Sequence, residues 1–198
     1  MLVILEDRSN IVNIAGMSKP IVDQKSPQSV EIVVIGGGVI GCAAAYYLAK
    51  QGRSVALFEK GRIAGEQSSR NWGSVRAQRR PPAELPLMID CIRLWENLEE
   101  ELEAKLDWRQ QGQIRLCYDE TSLNWAEDWV PTGRENGLDT QVLSSNKTHQ
   151  LLPGFNAKDL LGTLYSSTDR CAEPEKVAPA FASAASRLGA YIQDYLQY

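Results

Sequence analysis

Apolar residues run almost unbroken from Ile32 to Ile35, stop at glycines, and resume with Ala43, Ala44, Tyr47 and Leu48 spaced for one side of a helix. This predicts a buried strand over 31–35 and a helix over 41–50 that ends at Gln51-Gly52. A second β-branched and apolar run, Ser54 to Glu59, predicts the next strand. After a polar stretch from Lys60 to Pro82, Met88, Cys91, Ile92, Trp95, Leu98 and Leu102 recur at helical spacing, with Glu96, Glu99, Glu100, Glu101 and Glu103 on the outer side. Residues 112–118 alternate, which predicts a strand burying Ile114, Leu116 and Tyr118. A helical stretch over 120–137 is expected to break at Pro131. Short strands are expected over 141–143 and 160–166, and a last helix over 173–189, opened by Glu173-Pro174 and stopped by Gly189.

The strand, turn and helix at 31–50 carry the chemistry. Gly36, Gly38 and Gly41 fall in the order G-x-G-x-x-G, the spacing of a dinucleotide-binding turn. The first glycine permits the turn, the second lets a pyrophosphate approach the backbone, and the third lets helix pack on strand. The helix N-terminus, including the amides of Val39 and Ile40, offers free N–H groups and a favourable dipole to phosphate. Glu59 closes the second strand 23 positions after Gly36, where a carboxylate can accept hydrogen bonds from adenosine ribose hydroxyls. Its charge opposes a ribose 2′-phosphate, which disfavours NADP.

Composition narrows the remaining classes. With 198 residues, 43% hydrophobic and 23% charged, the chain can bury a sizeable core. A net charge of −4 offers no electrostatic basis for binding nucleic acid. No apolar run of about 18 residues exists to span a membrane, and Met1–Leu5 is too short for a signal peptide's apolar region and is followed by Glu6 and Asp7. The expected location is the cytoplasm, with peripheral attachment at the inner membrane as the other location considered. Cys42, Cys91, Cys117 and Cys171 lie far apart and read as reduced thiols; His149 is solitary and reads as a surface residue. No metal site is expected, and no side chain is assigned a catalytic role. Residues 1–29 read as an N-terminal extension containing Ser18, Lys19, Pro20, Gln24 and Lys25, with Met17 as an alternative start. The 60–82 loop, rich in glycine, serine and arginine, is long enough to imply a function.

Four passages in order then resemble the FAD-dependent oxidoreductases of the glycine oxidase, sarcosine oxidase and D-amino-acid dehydrogenase family. They are Val34–Gly41 with Ala45, the acid in Phe58-Glu59-Lys60, the loop Gly65–Gly73 with its Ser-Ser-Arg-Asn-Trp-Gly run, and Ala172-Glu173-Pro174 before the helix ending at Gly189-Ala190. The resemblance implies an α/β fold: a Rossmann-like FAD-binding βαβ domain interleaved with part of an antiparallel-sheet substrate domain. It divides the chain into the FAD-binding part (30–85), a partial substrate-domain region (86–172) and a helix returning to the FAD-binding domain (173–198). It places Gly36, Gly38 and Gly41 against the FAD pyrophosphate, Glu59 on the ribose and Lys60 near adenine. Ser68 and Ser69 would extend the phosphate and ribityl contacts, and Asn71 and Gly73 would approach the isoalloxazine ring. Arg70, Arg76, Arg79 and Arg80 are candidates for meeting phosphate or a substrate carboxylate, with none assigned to catalysis.

The function implied is oxidation of a small amine or amino acid by hydride transfer to flavin, with an electron acceptor downstream. Family members continue into a second half that returns a strand to the nucleotide domain. The expectation is therefore a truncated chain, or one completed by a second subunit or by self-association. Gln193–Tyr198 is not expected to form the further strand. Two alternatives stay open at this point: an NAD-dependent dehydrogenase, and a non-catalytic nucleotide-binding subunit.

Overall fold

A computed structural model describes residues 2–4, 27–155 and 157–196, with backbone only for 2–4. Most of the expected N-terminal extension, Met17 included, lies outside the described residues. The chain divides into two compact units: Met1–Trp72, Glu99–Leu106 and Glu173–Tyr198 make the first; Gly73–Leu98 and Asp107–Ala172 make the second.

The first unit is built on the predicted strand–helix–strand. Strand β1 (Leu2–Ile4) precedes β2 (Ile32–Ile35), α1 (Val39–Lys50) and β3 (Val55–Phe58). Parallel pairing joins β2 to β3 in the register Val34↔Leu57, and β1 adds antiparallel to the other side of β2 with Leu2↔Val34. Val34, Leu57 and Val55 are almost fully buried, as are Cys42, Ala45 and Tyr46 of α1. The small residues of α1 let it lie close on the sheet, and Val34 turns toward it.

The second unit begins with β4 (Ser74–Val75) and continues through α2 (Leu85–Glu96); at Asn97 the chain leaves helical geometry, and a short α3 (Leu98–Glu101) leads into the 99–106 segment of the first unit. The sequence pattern reads through this break because Leu98 and Leu102 keep the apolar spacing. Next come β5 (Arg109–Gln110), β6 (Gln113–Cys117), α4 (Glu120–Glu135), β7 (Thr140–Ser144), α5 (Ser145–Leu151), β8 (Gly162–Ser166) and β9 (Arg170–Cys171). Two antiparallel three-stranded sheets result, in the orders β4-β9-β5 and β6-β8-β7.

Two expectations for this unit are corrected. Pro131 does not break α4, which runs unbroken from Glu120 to Glu135. Proline forfeits only one amide bond and crowds one carbonyl, while an Asp119–Ser122 capping box starts the helix and Ala126 and Trp129 fix it in the core. The alternation in β6 does not set one buried side against one exposed side: Ile114 and Leu116 are half-buried, as are Gln113 and Arg115, while Tyr118 is 51% exposed and Cys117, on the other side, is wholly buried. The helices decide this, because Cys117 and Leu164 join Ala126, Trp129 and Leu85 in one cluster, with Val142 packed against it. Met88, Ile89 and Ile92 of α2 also pack there, whereas Leu87 and Leu94 stay exposed.

The chain then returns to the first unit through α6 (Pro174–Arg187) and β10 (Tyr191–Gln193). Strand β10 extends the parallel sheet beside β3, with Ile192↔Leu57, so Gln193 belongs to a strand, against expectation. Helix α6 lies against α1, where Phe181 meets Tyr46 at a ring-centroid distance of 5.7 Å. Residues 99–106 are tied in by Glu101, which accepts from Tyr46 Oη at 2.8 Å and Lys50 Nζ at 2.7 Å. Val33, Ala56, Phe58 and Tyr191 form a second cluster with Val30 and Leu196. No helix among the described residues is long and apolar enough to cross a membrane.

Candidate functional site

The G-x-G-x-x-G turn occupies the end of β2 and the start of α1. Gly36 donates its amide to the Phe58 carbonyl at 2.8 Å, which ties the turn to β3. A Cβ on Gly41 would lie 1.9 Å from the Gly36 carbonyl oxygen, so close helix–strand contact requires glycine there. Beside the turn lies a cavity of about 280 Å³ lined by Val34, Ile35, Gly36, Gly38, Val39, Ile40, Gly41, Ala44 and Ser68.

Glu59 and Ser68 complete the turn. One Glu59 carboxylate oxygen accepts the Gly37 amide and the other the Gly61 amide, each at 2.7 Å. A carboxylate accepts at about four lone-pair positions, so acceptor capacity remains for hydroxyl groups. Ser68 sits in a single 3₁₀ turn, Gln67–Ser69, and its Oγ accepts the Val39 amide at 2.9 Å. Gly38, the N-cap residue of α1, has no side chain to cap the helix, and no acid lies in the first turn. No acid of α1 itself therefore faces the helix dipole, and an anionic group fits the amides present there.

The structure thus brings Gly36, Gly38, Val39, Ile40, Gly41, Glu59 and Ser68 together. Ser69 turns to the Glu66 carbonyl at 3.2 Å and Lys60 is exposed. Asn71 donates to the Gln67 and Ser68 carbonyls, both at 3.2 Å, which braces the 3₁₀ turn. Gly73, with φ of +68°, belongs to the second unit, where its carbonyl accepts the Ala172 amide. Sequence reasoning passed over Gly37, whose added Cβ would meet Ile63 Cδ1 at 2.3 Å and whose amide is one of the two that fix Glu59. The signal was present, since the turn carries three consecutive glycines and the motif needs only the outer two.

Cys42 follows Gly41 on α1. Burial, and secondarily the negative charge of Glu59, push its thiol up to about 12. It stays protonated through the neutral range and donates to the Gly37 carbonyl at 3.4 Å. All four cysteines are free, and only Cys91 is not buried. Iodoacetamide at pH 8 is accordingly expected to modify Cys91 and spare Cys42, Cys117 and Cys171 in the folded chain. Peptide mass spectrometry checks this, and rapid labelling of Cys42 would contradict the closed helix end. His149 is half-buried rather than on the surface, with its ring against Phe155.

In the second unit, burial, and after it the charges of Arg115 and Arg76, lower the proton affinity of Arg79. Arg115 also lies over the Trp125 ring, 4.8 Å from its centroid. Among the described residues neither Arg79 nor Arg115 forms an ion pair.

A glycine turn, a strand-end acid and a parallel sheet backed by α1 and α6 define a dinucleotide-binding α/β protein. Residues 31–195 match the family of FAD dependent oxidoreductases, and the chain belongs to that family, whose cofactor is FAD. It is 32% identical over 189 residues to the mitochondrial sarcosine dehydrogenase of Homo sapiens, covering 94% of this chain and 20% of that protein. It is 33% identical over 172 residues to the glycine oxidase of Bacillus subtilis (strain 168), covering 83% of this chain and 45% of the relative. Among solved structures it resembles the L-α-glycerophosphate oxidase of Mycoplasma pneumoniae with FAD bound, at a TM-score of 0.73 and 26% identity over 82% of this chain and 43% of that one. The chain thus spans less than half the length of each of these relatives.

Proposed function

We propose that this chain supplies the FAD-binding turn and part of the substrate region of an oxidoreductase that oxidises a small amine or amino acid bearing a carboxylate. The observation that carries the reading is the closed turn: Ser68 and Glu59, distant in sequence, converge on the amides of Val39 and Gly37. The amides at the start of α1 would hold the pyrophosphate, with Gly36, Gly38 and Gly41 keeping side chains out of its way. Glu59 would accept the ribose hydroxyls, with Lys60 toward the adenine. Ser68, Ser69, Asn71 and Gly73 would form the loop that leads to the ring system. FAD, when bound, supplies a hydride acceptor for the carbon that carries the substrate nitrogen.

On this reading residues 30–85 and 173–198 form the FAD-binding part and 86–172 the substrate region. Arg76, Arg79 and Arg115 would receive the substrate carboxylate, since Arg79 and Arg115 form no ion pair among the described residues and a guanidinium group favours a planar anion. The rest of the substrate surface, and the electron acceptor, would come from a further segment or a second subunit. Sarcosine and glycine are the first substrates to try, because similar proteins carry those names.

Purification with an excess of FAD is expected to give a yellow chain. Anaerobic addition of sarcosine or glycine is then expected to bleach the flavin band. A chain that takes up no FAD, even on refolding with excess cofactor, would overturn the proposal. Retention of FAD without bleaching by any small amine or amino acid would make it a non-catalytic nucleotide-binding subunit.

A further inference from the structure

The arginine cluster stands on a turn whose shape is unusual for its sequence. Residues 77–80 form a tight turn, closed by the Arg80 amide donating to the Ala77 carbonyl at 3.2 Å. Its third position is Arg79, with φ of +65°, a left-handed conformation that turns of this kind normally give to glycine. A large side chain persists there only when its surroundings over-determine the backbone, and such outliers gather at functional sites.

The surroundings are polar and buried. Asp169 is fully buried and uses both oxygens on the turn, accepting the Ala77 amide at 2.7 Å and the Gln78 amide at 3.2 Å. Gln78 is also fully buried, and its side-chain amide lies 3.0 Å from the Gln113 carbonyl, 3.3 Å from the Leu164 carbonyl and 3.2 Å from Ser166 Oγ. Ser166 passes the chain on to Thr140 at 2.9 Å, and Trp129 Nε1 donates to the Arg80 carbonyl at 3.3 Å. Burying a carboxylate and a primary amide is unfavourable unless each is bonded, and here the Gln78 side-chain carbonyl oxygen is buried without a partner. Apolar residues would make this part of the core more simply, so the network answers to the turn it holds.

We propose that Asp169 and Gln78 are positioning residues: they hold the 77–80 turn in its strained form and so present Arg79 beside Arg76 and Arg115 to a carboxylate-bearing ligand. This rests on the reading that the cluster receives the substrate carboxylate. A purely structural network would stabilise the fold and leave ligand affinity untouched. A positioning network ties affinity to the turn, and relief of the strain then separates stability from binding.

The test uses the full FAD-loaded chain with acetate as probe and chloride as control, observing the arginine Nε–Hε resonances in ¹⁵N spectra well below each variant's melting temperature. Acetate is expected to shift the Arg79 and Arg115 signals. Arg79→Gly should melt higher than the parent yet lose the acetate response at Arg115. Asp169→Asn, which sets an NH₂ against one of the turn amides, should weaken acetate binding at least tenfold while leaving FAD retention unchanged. Should that variant fail to fold, Gln78→Met keeps the shape, removes the amide donors and is expected to show the same tenfold loss. A folded variant of either position that binds acetate like the parent would overturn the positioning role and leave the arginine reading standing. Absence of any acetate shift in the parent would remove the arginine reading and the proposal together. Melting of Arg79→Gly below the parent would refute the strain on which the argument depends.

Discussion

Gly41→Ala is expected to abolish FAD retention and to destabilise the first unit by about 3 kcal/mol, the upper part of the range for overpacking a tight core. The added methyl would fall 1.9 Å from the Gly36 carbonyl oxygen and 3.1 Å from its carbon. Those are backbone atoms, and the Gly36 amide is bonded to β3, so no rotamer change relieves the contact. Helix α1 must lift from β2, which opens the packing of Cys42 and Ala45 and displaces the amides beside the turn. Thermal unfolding and flavin absorbance of the purified variant check both halves of the expectation. Full FAD retention would show that the 36–41 turn does not hold the cofactor.

Gly38→Val is expected to cut FAD affinity at least a hundredfold with the fold kept. Gly38 has φ of −77° and ψ of 178°, an extended geometry open to any residue, so the backbone itself does not demand glycine. The demand comes from the neighbour: a Cβ would lie 3.1 Å from Ser68 Oγ, the atom that accepts the Val39 amide. Valine's two further methyl groups would crowd both that hydroxyl and the approach to the α1 amides. Glu59→Gln should be milder, about 1 kcal/mol, because it keeps the shape and one acceptor while exchanging a charge-assisted bond for a neutral one. Circular dichroism together with flavin titration ranks the variants, and normal FAD binding by Gly38→Val would refute the placement of the phosphates.

The elements around the glycine turn were legible because local signals agree there. A continuous β-branched run makes β2, alanines make α1, and the glycine spacing fixes the connection between them. The same holds for α6, where Pro174 starts the helix and Gly189, with φ of +93°, stops it. Legibility failed where long-range contacts decide. The strand β6 alternates cleanly, yet it is half-buried on both sides, and its one wholly buried residue, Cys117, packs with α4, a separate element. Pro131 reads as a breaker from sequence, and the capping box together with the packing of Trp129 and Ala126 overrides it. The two-residue strands β5 and β9 leave no periodic trace, and Asp169, an acid in a polar stretch, gives no sign that it will be buried under a turn some 90 residues away. Within the site the motif residues were readable, while the bonds of Glu59 to Gly37 and of Ser68 to Val39 join segments 22 and 29 positions apart.

The bond between Ser68 Oγ and the Val39 amide bears on how cofactor would be taken up. A loop that ordered only on meeting its ligand would charge that ordering, roughly 1 kcal/mol or more per residue, against affinity. Here the 3₁₀ turn is already latched onto the helix start by a serine hydroxyl and braced by Asn71, so the entropy of the segment around residues 67–71 is lost during folding instead. On the proposed placement of the pyrophosphate, uptake would be an exchange in which an arriving phosphate oxygen competes with one hydroxyl for one amide. Such a latch makes affinity less sensitive to the length of the 60–72 loop than to the single oxygen at position 68.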